Sequence, residues 1–361
     1  MHAPPPHVPL ASGRLHAAHP DGDDAIRQTD SDAALARFSA VQKGYIADPF
    51  VRALLPRGAH LQPPRPPLIN VGTYVRAAGI DQLVHGFLAH AAQERRRCQI
   101  VSLGAGSDTR FWRIAAGPHA STLATYVEVD FAENTTKKAM AIRKSKDLGA
   151  LLGNAEEVKL VNGGTSLHSP RYHLVAADLR QSPEESLGPV LTGLHTDDTP
   201  LLSPDLPTLL IFECVLAYMP AEDSDRLIQW FADYFSKSTN GVLGALVYEM
   251  FGLQDSFGKV MLNNLKARNV SIPGAEPYPD LASLPGRFTR RDFTTSLALT
   301  LRDIRRSCIS EDELERISHL EMLDEIEELE LVLQHYAITW GVKLNDPEAQ
   351  ASWKNWGLLH V

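Results

Sequence analysis

The sequence predicts a doubly wound α/β protein with a mostly parallel sheet, and three features of its 361 residues carry that prediction. Short apolar runs alternate with helical patterns between about residues 98 and 250, the order that builds a parallel sheet covered on both faces. One run, Ile100, Val101 and Leu103, ends in the glycine turn Gly104-Ala105-Gly106. Three others end in or near an acid: Asp130, Asp178 and Glu213. Ligands of such sheets sit over the C-terminal strand ends where strand order reverses, so these residues mark the expected site.

Composition narrows the class further. With 44% hydrophobic and 22% charged residues the chain can bury a large core, and its formal charge of −9 argues against a nucleic-acid binder relying on a basic surface. Cys98, Cys214 and Cys308 are widely spaced, with neither CxxC nor paired zinc-ligand spacing. Reduced thiols are expected and no metal site. No apolar run approaches the length of a bilayer span and the N-terminus lacks a signal-peptide core, so the expectation is a cytoplasmic protein without membrane contact.

In chain order, residues 1–24 are rich in proline and carry four histidines, which reads as a disordered tail. Residues 25–97 form a helical cap, 98–250 the ligand-binding core, 251–345 a lid with closing strands, and 346–361 a second tail. A helix is expected over 25–44 on Ala33, Leu35, Phe38 and Val41, with N-cap candidates at Thr29, Asp30, Ser31 and Asp32 and with Arg37 at the edge of the stripe. The PPRPP run at 63–67 reads as a rigid spacer, followed by a helix over about 80–92. After the glycine turn come strands at 125–130 and 172–178 around a basic helical segment at 133–150, a loop at 187–207, a strand and its exit at 208–218, a helix at 222–236 and a strand at 242–248. A helix at 257–266, a proline-broken excursion at 273–285, one helix from the Ser310/Glu313 capping box to Leu329, and a closing strand within 335–342 complete the reading.

The glycine turn needs its residues because the chain reverses tightly and a ligand can approach bare backbone there. An acid at the end of the second strand can accept both ribose hydroxyls of a nucleoside. Dinucleotide sites usually complete GxGxxG, but Thr109 stands at the third position here. S-adenosylmethionine has no phosphate; it carries a ribose, an adenine and a charged methionine end. Glycines with acids on the second and third strands suit it better, which favours a methyltransferase.

The blocks DSDA at 30–33, GTYVR at 72–76, LGAGSDTRF at 103–111, EVDF at 128–131, ADLR at 177–180, ECVLAYM at 213–219, FGKVMLNNL at 257–265 and LEMLDEIEEL at 320–329 resemble the leucine carboxyl methyltransferases over about residues 26–340. The resemblance implies a seven-stranded sheet of the class I S-adenosylmethionine-dependent type, with added N-terminal helices and a substrate-binding lid. It implies methyl esterification of the α-carboxylate of the C-terminal leucine of the protein phosphatase 2A catalytic subunit. It places Arg76 on the methionine carboxylate, Gly104 against the methionine part, Asp130 on the ribose, Asp178 with the Leu179 backbone on the adenine, and Glu213 at the amino-acid end, with Gly106 and Arg37 also among the cofactor-binding residues. Arg37 stands where the family usually has lysine, and Ser256 where relatives often carry arginine; the 187–207 loop is somewhat longer than usual.

An acceptor carboxylate is already ionised at neutral pH, so no general base is expected. Transfer would be in-line displacement at the sulfonium, with Arg37, Arg76 and Tyr218 as positioning candidates and no catalytic residue named. The chain is expected to act as a monomer. Two other readings are a related methyltransferase for a modified tRNA base or small-molecule acid, and a non-catalytic binder of the phosphatase tail.

Overall fold

A computed structural model describes residues 20–55, 58–193 and 199–360. Its strands are β1 (Cys98–Leu103), β2 (Leu123–Asp130), β3 (Lys159–Val161), β4 (Ser166–His168), β5 (Tyr172–Ala176), β6 (Thr208–Glu213), β7 (Val242–Met250), β8 (Thr295–Thr300) and β9 (Tyr336–Leu344). They form one sheet in the order β3-β4-β5-β2-β1-β6-β7-β9-β8. Strands β5, β2, β1, β6 and β7 run parallel, whereas β9 lies antiparallel between β7 and β8. The seven strands from β5 to β8 are the expected sheet; the short antiparallel hairpin β3–β4 extends it at one edge. That hairpin and β8 carried no readable signal, being short or half-exposed.

Along β1, Cys98 and Ile100 enter the core on one face of the sheet, and Val101 and Leu103 enter the core on the other. Both faces are covered, which is why the central strands read as unbroken apolar runs. The first face packs on the helix Pro67–Gln93 through Leu83, Val84 and Phe87, and the second on the helix Ala221–Phe235 through Leu227, Ile228 and Phe231.

Several boundaries differ from the sequence reading. The helix expected from residue 25 begins at Pro20, so 20–24 belong to it; the rest of the expected N-terminal tail, 1–19, lies outside the described residues. Proline at N1 starts rather than precedes the next helix, which therefore runs from Pro67 to Gln93, and the proline run ends inside it. The helix expected through Leu329 is two, Glu311–Ser318 and Ile326–Gln334. Ser310 caps Glu313 N–H, but the Glu313 carboxylate takes the Tyr74 hydroxyl and Arg316 instead of closing the box. Residues 346–361, expected as a tail, pack down: Trp353 and Trp356 are buried with ring centroids 4.8 and 5.4 Å from Phe87. The 187–207 segment opens with a helical turn, Gly188–Leu191, and its residues 194–198 lie outside the described ones. No helix among the described residues is long and apolar enough to cross a membrane.

Candidate active site

Strand order reverses at β1, whose two neighbours are β2 and β6. Over the C-terminal ends there lies a cavity of about 810 Å³. Its lining follows the sheet order: Asp178 after β5, Asp130 on β2, Gly104 after β1, Glu213 on β6, Met250 on β7 and Tyr336 on β9. Met250 and Tyr336 are register partners, so antiparallel β9 begins where β7 ends. Six adjacent strands at the usual spacing make the trough about 24 Å across. One side is lined by acids and bare backbone; the other is apolar, with Met250, Leu265, Leu301, Leu333 and the Tyr336 ring.

The glycine turn is built as expected, with left-handed backbone at Gly104 (φ +68°) and Gly106 (φ +46°). Both glycines are crowded by protein. A Cβ on Gly104 would lie 2.2 Å from Val215 Cγ2, and one on Gly106 would lie 2.3 Å from Asp30 Oδ1. Asp130 accepts the N–H of Gly106 at 2.7 Å, the N–H of Phe131 at 2.7 Å and the Asn134 amide at 2.9 Å. Burial raises its pKa; these three donors oppose that without cancelling it.

Asp178 lies at the expected strand end, but Arg180 holds both its oxygens, at 2.9 and 2.7 Å. The same guanidinium pairs with Asp23 of the N-terminal helix at 2.7 and 2.9 Å. Leu179, buried, lines the cavity beside it.

At mid-trough Arg76 Nε donates to Glu213 at 2.6 Å, and the Arg76 guanidinium sits 4.4 Å from the Tyr248 ring centroid. Arg110 Nη2 reaches the other Glu213 oxygen at 3.4 Å. Burial alone would raise the pKa of Glu213, but Arg76 and Arg110 override it and hold the carboxyl well below its usual range. The next residue, Cys214, has φ +58°, a left-handed backbone in a residue with a side chain, and its N–H donates to the Tyr248 carbonyl at 2.8 Å. Burial keeps the Tyr218 phenol far above its ordinary pKa, so it stays a neutral hydroxyl at the wall.

Arg37 also faces the cavity. Its Nε is bound to Asp48 at 2.7 Å, while its Nη2 is buried with no hydrogen-bond partner. Asp48 takes the Thr109 hydroxyl at 2.5 Å as well, so the residue in the third-glycine position ties the turn to the loop that holds Arg37. Ser256 lies exposed at the start of the helix Ser256–Ala267 and outside the cavity lining.

The structure thus brings Arg37, Arg76, Gly104, Gly106, Asp130, Asp178, Leu179, Glu213 and Tyr218 to one cavity. Sequence reasoning missed Asp30, Asp48 and Arg110 as site residues. Asp30 accepts the Ser107 N–H at 2.7 Å and its hydroxyl at 2.9 Å. The only signal for it lay in the DSDA block.

The sheet order from β5 to β8, with one antiparallel strand inserted next to the last, and a switch-point trough lined by glycines and carboxylates define a class I methyltransferase fold. Residues 25–232 match the family described as leucine carboxyl methyltransferase. Leucine carboxyl methyltransferase 1 of Cryptococcus neoformans var. neoformans serotype D (strain JEC21) is 45% identical over 344 residues, covering 89% of this chain and 94% of that one. The enzyme of the same name from Emericella nidulans is 37% identical, covering 88% and 85%. Among solved structures, a putative methyltransferase from Thermobifida fusca is 14% identical with a TM-score of 0.46, covering 81% and 92%. The chain belongs to the leucine carboxyl methyltransferase family.

Proposed function

We propose that this chain transfers the methyl group of S-adenosylmethionine to the α-carboxylate of the C-terminal leucine of the protein phosphatase 2A catalytic subunit. The single observation that carries the reading is the chemical division of the trough: acids and bare glycine backbone on one side, an apolar tyrosine-edged wall on the other, and Arg76 with Glu213 between them. The first side fits a nucleoside with a zwitterionic end; the second fits a branched aliphatic side chain.

The residues present suit that cofactor. Arg37 is already paired with Asp48 through Nε, but its buried Nη2 is a donor without an acceptor, which a methionine carboxylate would supply. Asp130 would receive the ribose hydroxyls, Asp178 with the Leu179 backbone would meet the adenine edge, and Glu213 would face the amino group. When bound, the cofactor supplies an electrophilic methyl on a sulfonium.

The protein's part is orientation and exclusion of water. Glu213 stays ionised because Arg76 and Arg110 hold its pKa down, so it accepts hydrogen bonds throughout the neutral range. Arg76, fixed by Glu213 and the Tyr248 ring, keeps its remaining N–H groups for the methionine carboxylate, and the neutral Tyr218 hydroxyl at the wall is a donor for the acceptor carboxylate. No proton has to be removed from a carboxylate nucleophile, so in-line placement across a dry trough is what the site must provide. Incubation with methyl-labelled S-adenosylmethionine and purified phosphatase catalytic subunit tests this: label on the subunit is expected, and none on a folded subunit would overturn the proposal.

A further inference from the structure

The glycine turn is held from below by a buried lysine. Lys138, 4% exposed, lies in the helix Ala132–Lys144 that begins just after Asp130. Its Nζ donates to the Asp108 carbonyl at 2.8 Å, sits 2.5 Å from Glu128 Oε2 and lies 5.6 Å from the Trp112 ring centroid. Glu128 Oε2 also accepts the Tyr172 hydroxyl at 2.6 Å, whereas Oε1 is buried with no partner. A fully buried ion pair with an orphaned oxygen is a poor source of stability, since apolar side chains of similar size commonly do as well. What Lys138 supplies that an apolar residue cannot is a directed donor to Asp108.

Asp108 is the far end of the turn. Its N–H donates to Ala105, and its carboxylate accepts the Arg110 N–H at 2.9 Å and pairs with the Arg110 guanidinium that reaches Glu213. Asp130, at the start of the same helix unit, grips the near end through the Gly106 N–H. One strand-and-helix unit thus holds the turn at both ends.

We propose that Lys138 is a positioning residue for the cofactor half of the site: through its bond to the Asp108 carbonyl it sets the turn 104–109 over β1. The inference rests on the S-adenosylmethionine reading above.

Calorimetry with S-adenosylhomocysteine, paired with thermal melts, tests it on four full-length proteins: wild type, Lys138→Met, Glu128→Gln and the double variant. Lys138→Met is expected to lose both stability and affinity, because it leaves the buried Glu128 carboxyl and the Asp108 carbonyl without their donor. The double variant removes the buried acid, so it should recover stability while still binding about ten-fold more weakly than wild type. Glu128→Gln alone, which keeps the bond from Lys138 to Asp108, should bind like wild type. Recovery of wild-type affinity by the double variant would overturn the inference, as would a loss in Glu128→Gln equal to that in Lys138→Met. Failure of the wild type to bind would instead contradict the cofactor reading on which the inference rests.

Discussion

Asp30 of the N-terminal helix accepts both the N–H and the hydroxyl of Ser107, so the helix that roofs the trough is fastened directly to the glycine turn. Asp23 on Arg180 makes a second fastening two strand ends away, beyond β5. A cofactor seated on the turn would therefore lie under this helix. Asp30→Ala removes two hydrogen bonds, one to a backbone N–H, and should raise the dissociation rate of S-adenosylhomocysteine about ten-fold while the Asp23 fastening keeps the helix folded. Stopped-flow displacement measures the rate, and an unchanged rate would show that the helix does not retain the ligand.

Gly104 is constrained by Val215 as well as by any ligand. A methyl on Gly104 would meet Val215 Cγ2 at 2.2 Å, on backbone already left-handed at φ +68°. Gly104→Ala should therefore destabilise the fold by about 2 kcal/mol even without ligand, and Val215→Ala in the same chain should return part of that. Denaturant melts of the single and double variants check both statements. A Gly104 variant with impaired binding and wild-type stability would contradict this geometry.

Glu213 is the counter-ion of two arginines, so its removal leaves more than an empty acceptor. Glu213→Gln strands Arg76, whereas Arg110 keeps Asp108 and Asp81, and it should cost about 3 kcal/mol of stability along with methyl transfer. Combining it with Arg76→Met should cost less than the sum of the two single changes. A double-mutant cycle read by melting would contradict the account if the effects were additive.

Glu128 titrates in the opposite sense to a salt-bridged surface acid. Burial, against the pull of Lys138, raises its pKa to about 7 from an ordinary 4.5. The folded state thus binds this proton more tightly than the unfolded chain does. The contribution is fully present below about 4.5 and is lost as pH rises through about 7. Melts of wild type and Glu128→Gln between pH 5 and 8, a window set by those two values, should show a fall with pH that the variant lacks. Parallel curves would place the pH dependence elsewhere.

The central strands and their acids could be read because both faces of the sheet are covered: burial wrote unbroken apolar runs, and those of β2 and β6 end in the acids that meet the trough. Asp30 could not be read the same way. Among Thr29 to Asp32 it resembled a helix cap, but the helix starts at Pro20, which places Asp30 mid-helix with its carboxylate free for Ser107. Arg37 and Thr109 were each visible as departures from a pattern, yet their shared partner, Asp48, comes from a loop with no periodicity. Contacts between distant segments leave no spacing in the chain.

The proposed acceptor atom is a carboxylate oxygen, and the stability of the transferred label in mild base distinguishes it from other acceptors. A methyl ester hydrolyses there, whereas a methylated side-chain nitrogen does not. Label on the phosphatase catalytic subunit should be released by base and should be absent from a subunit lacking its terminal leucine. Base-stable label, or equal labelling of the shortened subunit, would contradict methylation of the leucine carboxylate.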